Sequence, residues 1–137
     1  MENNLVPLID IGANLLDKQL LKNFNSIIEK SKKNNIKKII VTSSHIDDTH
    51  QAKKIINAEP DYLYTTVGFH PHNAKDYQDK HFYEMADLCK HDYVKAIGEC
   101  GLDYKRNYST KKEQIRCFQS HLELATQINL PMFLHER

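Results

Sequence analysis

The sequence has no large excess of charge of either sign. Nineteen lysines and arginines oppose eighteen aspartates and glutamates, a formal net charge of +1. A surface so nearly balanced lacks the electrostatic footprint of a protein that coats nucleic acid, although a hydrolase needs cations only in its cleft. Long apolar runs are missing too: no stretch approaches the roughly 20 residues of a membrane-spanning helix. The opening segment, Met1 to Val6, has no basic stretch followed by an apolar one, so no secretory leader is expected. Cysteine is scarce and odd in number. Cys89, Cys100 and Cys117 fit neither a zinc knuckle nor a redox pair, and free thiols in a reducing, cytoplasmic setting are the simplest reading (nuclear in a eukaryote).

The 40% hydrophobic and 27% charged residues are those of an ordinary globular domain, and 137 residues suffice for one. The lysines between Lys30 and Lys38 read as the solvated end of a helix and its following turn.

A strand–helix unit recurs along the chain. Leu8–Gly12, Lys37–Thr42, Leu63–Gly68, Val94–Gly98 and Met132–Leu134 are short apolar runs expected to be strands. Between them lie segments with helical periodicity: Asp17–Asn34, Asp47–Ala58, Asp79–Lys90, and a helix capped by Thr110 with Glu113 three residues on. The inward face of the last is predicted at Ile115, Phe118, Leu122 and Ala125. The strand ends Asp10, Thr42, Gly68, Glu99 and His135 are separated by 32, 26, 31 and 36 residues, which suits parallel βα units. Such units build either an open doubly wound sheet or a (β/α)8 barrel of roughly 250 residues, here represented by four units and a fifth strand. In the barrel, Ile9, Ile39, Val41, Val67, Ile97 and Phe133 are expected to face the interior.

Ligands of α/β folds gather at the carboxyl ends of the strands, and there the chemistry-bearing residues concentrate. Asp10 and Asn14 follow the first strand, His70-Pro71-His72 the third, Glu99 and Asp103 the fourth, His135-Glu136-Arg137 the fifth. Glu99 directly follows an apolar run, where a carboxylate needs compensation from a metal or from a neighbouring Lys or Arg. His135 closes Phe133-Leu134 in the same way. Imidazole with carboxylate suits zinc, manganese and similar ions, although a histidine after a strand also serves as a satisfied core residue. His70 and His72 flank a proline that stiffens their turn. They could bind phosphate, shuttle protons, ligate a metal or face solvent. Arg137 could clamp a phosphate or pair with Asp103 or Glu136. His45, His50, His81, His91 and His121 show no metal spacing and read as surface or helix residues. Cys100 should point away from the site, toward the helices.

Taken together, four segments resemble the TatD family of metal-dependent hydrolases. They are Asp10-Ile11-Gly12-Ala13-Asn14-Leu15, Val67-Gly68-Phe69-His70-Pro71-His72, Ile97-Gly98-Glu99-Cys100-Gly101-Leu102-Asp103-Tyr104 and Leu130-Pro131-Met132-Phe133-Leu134-His135-Glu136-Arg137, in family order. The resemblance implies a single hydrolase domain over 1–137, a partial TIM barrel, and up to two divalent cations (Mg2+, Mn2+ or Zn2+). It implies DNA as substrate, with 3′-to-5′ exonuclease action on single strands among the family's activities. Glu99 is implied to bind or bridge the metals and His135 to ligate one, with Asp10 and Asn14 as weaker ligands. His70, His72, Asp103 and Arg137 are implied near the scissile phosphate. Many relatives open with an H-x-H pair where Gly12 and Asn14 stand, which implies an altered first metal site. A further histidine and a late aspartate of the family lie beyond residue 137. The alternatives carried forward are a hydrolase of another phosphoester or an amide, and a non-catalytic half-barrel that self-associates through its open edges. If this chain stands alone, marginal stability, weak metal binding and little nuclease activity are expected, with activity returning when the downstream half is supplied.

Overall fold

A computed structural model describes residues 6–137; the segment 1–5, most of the stretch read above for leader features, lies outside the described residues. Five parallel strands form one sheet: β1 (Leu8–Ala13), β2 (Ile36–Val41), β3 (Leu63–Val67), β4 (Val94–Leu102) and β5 (Met132–Glu136). Their order in space is their order in sequence. A doubly wound sheet reverses order at a switch point; a barrel wall does not, so the sequential order decides for the barrel. The sheet is also curled. A β-carbon built on Gly12 of β1 would lie 3.0 Å from Cζ of Phe133 on β5, so the first and last strands face each other across a lumen.

The helices α1 (Lys18–Lys22), α2 (Phe24–Lys33), α3 (Ile46–Ala58), α4 (Asp79–Leu88) and α5 (Lys111–Ile128), with a 3-10 turn at Pro71–Asp76, form the outer layer. Two apolar clusters join the layers. One gathers Val67, Met85, Val94, Ile97 and Leu124 beneath α4 and α5, the other Leu15, Ile28, Ile39, Val41, Ala52 and Leu63 beneath α2 and α3. Each of the larger of these side chains contributes on the order of 1.5–3 kcal/mol by leaving water.

Four expectations are corrected. The segment Asp17–Asn34 is two helices: Asp17 caps the first, and Asn23 ends it, its amide group and its backbone N–H turning back onto Gln19 O and Leu20 O. The fourth strand runs on from Gly98 to Leu102. Ile39, Val41, Val67 and Ile97 face the helices, not the lumen. The lumen hollow is lined by Phe133, as expected, and by Ile11, Ile40, Thr66 and Ala96 from the other four strands, while Ile9 is 56% exposed. Strands apolar on both faces give no period to tell the two apart. Finally, α5 buries Gln114, Cys117, His121, Leu124 and Ala125, and leaves Ile115 and Leu122 exposed.

The inward face of α5 is set by polar satisfaction. Gln114 Oε1 accepts the Asp103 N–H at 2.8 Å, and its Nε2 donates to the carbonyls of Asp103 and Ser109. His121, read as a surface or helix residue, lies on α5 and is fully buried. Its Nε2 accepts the Phe69 N–H at 2.9 Å while Nδ1 donates to Cys117 O at 2.7 Å. An unpaired backbone N–H there would cost about 1–3 kcal/mol, so this imidazole secures the segment leading to His70.

Burial lowers the pKa of His121 from 6.5 to about 4, against a smaller opposing effect of the Cys117 carbonyl. Between those values the unfolded chain binds the proton and the folded chain does not. Stability is therefore full above 6.5 and falls as pH drops toward 4, by about 3 kcal/mol for this one group. Denaturant unfolding between pH 7.5 and 4.5 should show that slope, and His121→Gln should shallow it. A slope identical in the variant would contradict the assignment.

Candidate metal centre

Glu99 owes its position to the close packing of β4 against its two neighbours. A β-carbon on Gly98 would sit 2.2 Å from Phe133 O, and the residue has φ of +142°; one on Gly68 would meet Gly98 Cα at 2.8 Å. Only glycines let β3, β4 and β5 approach this closely. The Gly98–Glu99 peptide is cis. Beyond it, the Glu99 N–H reaches past β3 to donate to Ser43 O at 2.8 Å. Ser43 is held in turn by a buried hydroxyl tier: its N–H donates to Thr66 Oγ1, and Thr49 Oγ1 donates to Ser43 Oγ. Every member has a partner, the condition for a buried polar network to stabilise.

Three ligand-type atoms converge at the mouth. His135 Nδ1 lies 3.0 Å from Glu99 Oε1, His70 Nε2 is 3.5 Å from the same oxygen, and His70 Nε2 and His135 Nδ1 are 3.3 Å apart. Behind them stands Asp103, whose side chain has no exposure. Its Oδ2 is 2.8 Å from His72 Nε2, 3.2 Å from His135 Nε2 and 3.5 Å from Arg137 Nε; its Oδ1 accepts the N–H groups of Lys105 and Arg106. Burial alone would raise the Asp103 pKa. The hydrogen bonds from His72, Arg106 N–H and His135, with the Arg137 charge, overcome that and hold it well below the usual carboxylate range.

An ionised carboxylate only accepts, so both Nε2 atoms facing Asp103 carry protons. A neutral His135 then presents a bare Nδ1 lone pair toward Glu99. His70 has the opposite tautomer. Its Nδ1 accepts the His72 N–H at 3.1 Å, which leaves the proton on Nε2. Burial first, then the neighbouring His72 and His135, push its pKa down to about 4, so near pH 7 it is a neutral donor.

The donor set fits a divalent cation. Ligands at about 2.0–2.1 Å from a tetrahedral ion are about 3.3–3.4 Å apart, close to the 3.0 Å between Glu99 and His135. The Asp103–His135 bond supplies the carboxylate that fixes a ligating imidazole. His70 has the right distance, but its Nε2 proton makes it a donor beside the centre rather than a ligand.

Around these atoms opens a cleft of about 560 Å³ whose walls include Asn14, Thr42, Ser44, His72 and Asn73. Asn14 thus reaches the mouth of Glu99. Asp10 does not line it: its Oδ1 accepts the Gly12 N–H at 3.0 Å and shapes the strand end that carries Asn14. Asp103 and Arg137 are drawn to each other, with Asp103 sealed from solvent. Sequence reasoning passed over Thr42, whose Oγ1 is the one buried side-chain polar atom without a partner among the described residues, and over Asn73, which donates to Ser44 O. It also missed the Ser43–Thr49–Thr66 tier. The signal for that tier was a cluster of small hydroxyl residues at successive strand ends. Cys100 is buried on the helical side, and burial raises its pKa to about 12. It stays a thiol.

Residues 9–137 match the family described as TatD related DNase. Among curated relatives, a 3′-5′ ssDNA/RNA exonuclease TatD from Pectobacterium carotovorum is 37% identical over 130 residues, covering 95% of this chain and 50% of the relative. The protein of the same name from Yersinia pseudotuberculosis is 36% identical over the same shares. The chain spans about half the length of the curated relatives it matches. A solved TatD-family hydrolase from Entamoeba histolytica superposes with TM-score 0.85 at 32% identity, over 96% of this chain and 50% of that one. An Escherichia coli TatD homologue shares the fold, with TM-score 0.81 at 21% identity over 95% and 51% of the two chains.

Asp103→Asn keeps the side-chain shape but removes the charge that fixes His135. Titration calorimetry with Mn2+ or Zn2+ should show affinity lowered by about 10–100-fold; an unchanged affinity would remove Asp103 from the centre.

Proposed function

The chain belongs to the family of TatD-related DNases, and we propose from that membership and the Glu99–His135 geometry that it carries part of a divalent-metal centre hydrolysing nucleic-acid phosphodiesters. The observation that carries this reading is one carboxylate and one imidazole 3.0 Å apart on adjacent strands, with a buried second carboxylate behind the imidazole. We read residues 1–137 as part of one hydrolase domain. The names of the curated relatives favour single-stranded DNA or RNA processed from the 3′ end.

Glu99 and His135 would hold the cation, and mixed oxygen and nitrogen donors suit Zn2+ or Mn2+ better than Mg2+. When bound, such a cation acts as a Lewis acid toward phosphoryl oxygen and lowers the pKa of water. The chain's own groups do the rest. Asp103 keeps the His135 proton on Nε2 and so keeps Nδ1 available. His70 Nε2–H, neutral near pH 7, donates toward a non-bridging phosphate oxygen and adds to charge stabilisation. Asn14 offers a polar contact on the wall of the cleft. His72 and Arg137 are anchored to Asp103, and the Arg137 guanidinium carries its positive charge to the same edge. Among the described residues no helix is long and apolar enough to cross a membrane, and the free thiols at Cys89, Cys100 and Cys117 fit the reducing interior of a cell.

The direct test is degradation of end-labelled single-stranded DNA by the full protein with Mn2+. Activity should vanish with a chelator, and Glu99→Gln should lower turnover by roughly 100-fold or more. Hydrolysis indifferent to both would overturn the reading.

A further inference from the structure

Beside the metal centre, the loop from Asp103 to Thr110 shows two aromatic rings to solvent. Tyr108 is 58% exposed and Tyr104 37%. The Tyr108 ring stands edge-to-face against the His72 ring, centroids 4.7 Å apart, and His72 shares Asp103 with His135. One side chain therefore separates this ring from the residues of the centre. Between Asp103 and Glu113 the sequence has four cations, Lys105, Arg106, Lys111 and Lys112, and no carboxylate. The Lys111 ammonium lies 4.8 Å over the Tyr104 ring.

The loop backbone is pinned. Asp103 Oδ1 takes the N–H groups of Lys105 and Arg106, and Gln114 holds the carbonyls of Asp103 and Ser109. Ser109 Oγ donates to His72 O at 3.0 Å, and the Tyr104 N–H donates to Arg137 O at 2.8 Å. Rings on so fixed a backbone are displayed rather than folded inward. Such a display, flanked by cations that meet the phosphates, matches the way single strands are held: bases stack on aromatic faces while the backbone follows positive charge. A duplex already stacks its bases on each other and offers none to Tyr108.

We propose that the β4–α5 loop is a base-stacking subsite for an unpaired nucleotide, with Tyr108 as the platform, Tyr104 as a second ring, and Lys105, Arg106 and Lys111 facing the phosphates. This rests on the nucleic-acid reading above and adds to it a specific preference for strands that carry bases. The subsite sets binding, not the hydrolytic step.

The test compares steady-state hydrolysis by the full protein with Mn2+ on two short strands of equal length, one of thymidines and one abasic. The wild type should favour the thymidine strand by roughly 10-fold or more in kcat/KM, mostly through KM. Tyr108→Leu, which removes the aromatic face from an exposed position, should bring that ratio close to one. Tyr108→Phe, which keeps the face, should preserve it. A ratio unchanged in Tyr108→Leu, or a wild type that cuts both strands equally well, overturns the subsite and leaves the nuclease reading intact. A wild type that cuts neither strand overturns that reading and the subsite with it.

Discussion

The carboxylate of Asp103 is shut off from water, yet it stays ionised because five protein groups face it. Two backbone N–H groups come from its own loop, two ring nitrogens from His72 and His135, and the guanidinium from Arg137. An isolated buried charge would cost several kcal/mol; these partners offset the cost and fix the geometry at the same time. They come from the turn after β3, from the loop after β4 and from the end of β5. One charge therefore sets the spacing of three elements and the tautomers of two histidines. The pinned β4–α5 loop, with its outward tyrosines, follows from the same carboxylate.

Glu99 is fixed by a separate device. It is brought in by glycine-only contacts among three strand ends and by a backbone hydrogen bond to Ser43, itself seated in a tier of buried hydroxyls. The two devices meet where Glu99 Oε1 faces His135 Nδ1. A site built this way holds its geometry through backbone and buried polar groups, which lose little on binding because they are already ordered.

Much of this was legible in the chain because parallel βα units write themselves in apolar runs with fixed spacing, and because function gathers at strand ends. Those positions marked Glu99, His135, His70 and Asp103 as candidates, while leaving each free to be a ligand or a satisfied structural residue. The strand faces could not: Ile39 and Ile40 are equally apolar, and only packing shows that the first meets helices and the second the lumen. The role of α5 was hidden for a different reason. Hydrophobic periodicity favoured Ile115 and Leu122, whereas the helix turns inward the residues that satisfy loop backbone, Gln114 and His121. The tautomers of His70 and His135 are likewise invisible without the partners of their second nitrogens.

Glu99 and His135, oriented from behind by Asp103, are proposed as the core of a metal site that His70 adjoins without ligating. Anomalous diffraction from crystals of the protein grown with Zn2+ would locate the ion. A peak is expected within about 2.0–2.2 Å of both His135 Nδ1 and a Glu99 oxygen, with His70 Nε2 farther away and donating a hydrogen bond. A peak coordinated by His70 in place of His135, or no peak between Glu99 and His135 at saturating Zn2+, would rule this site out.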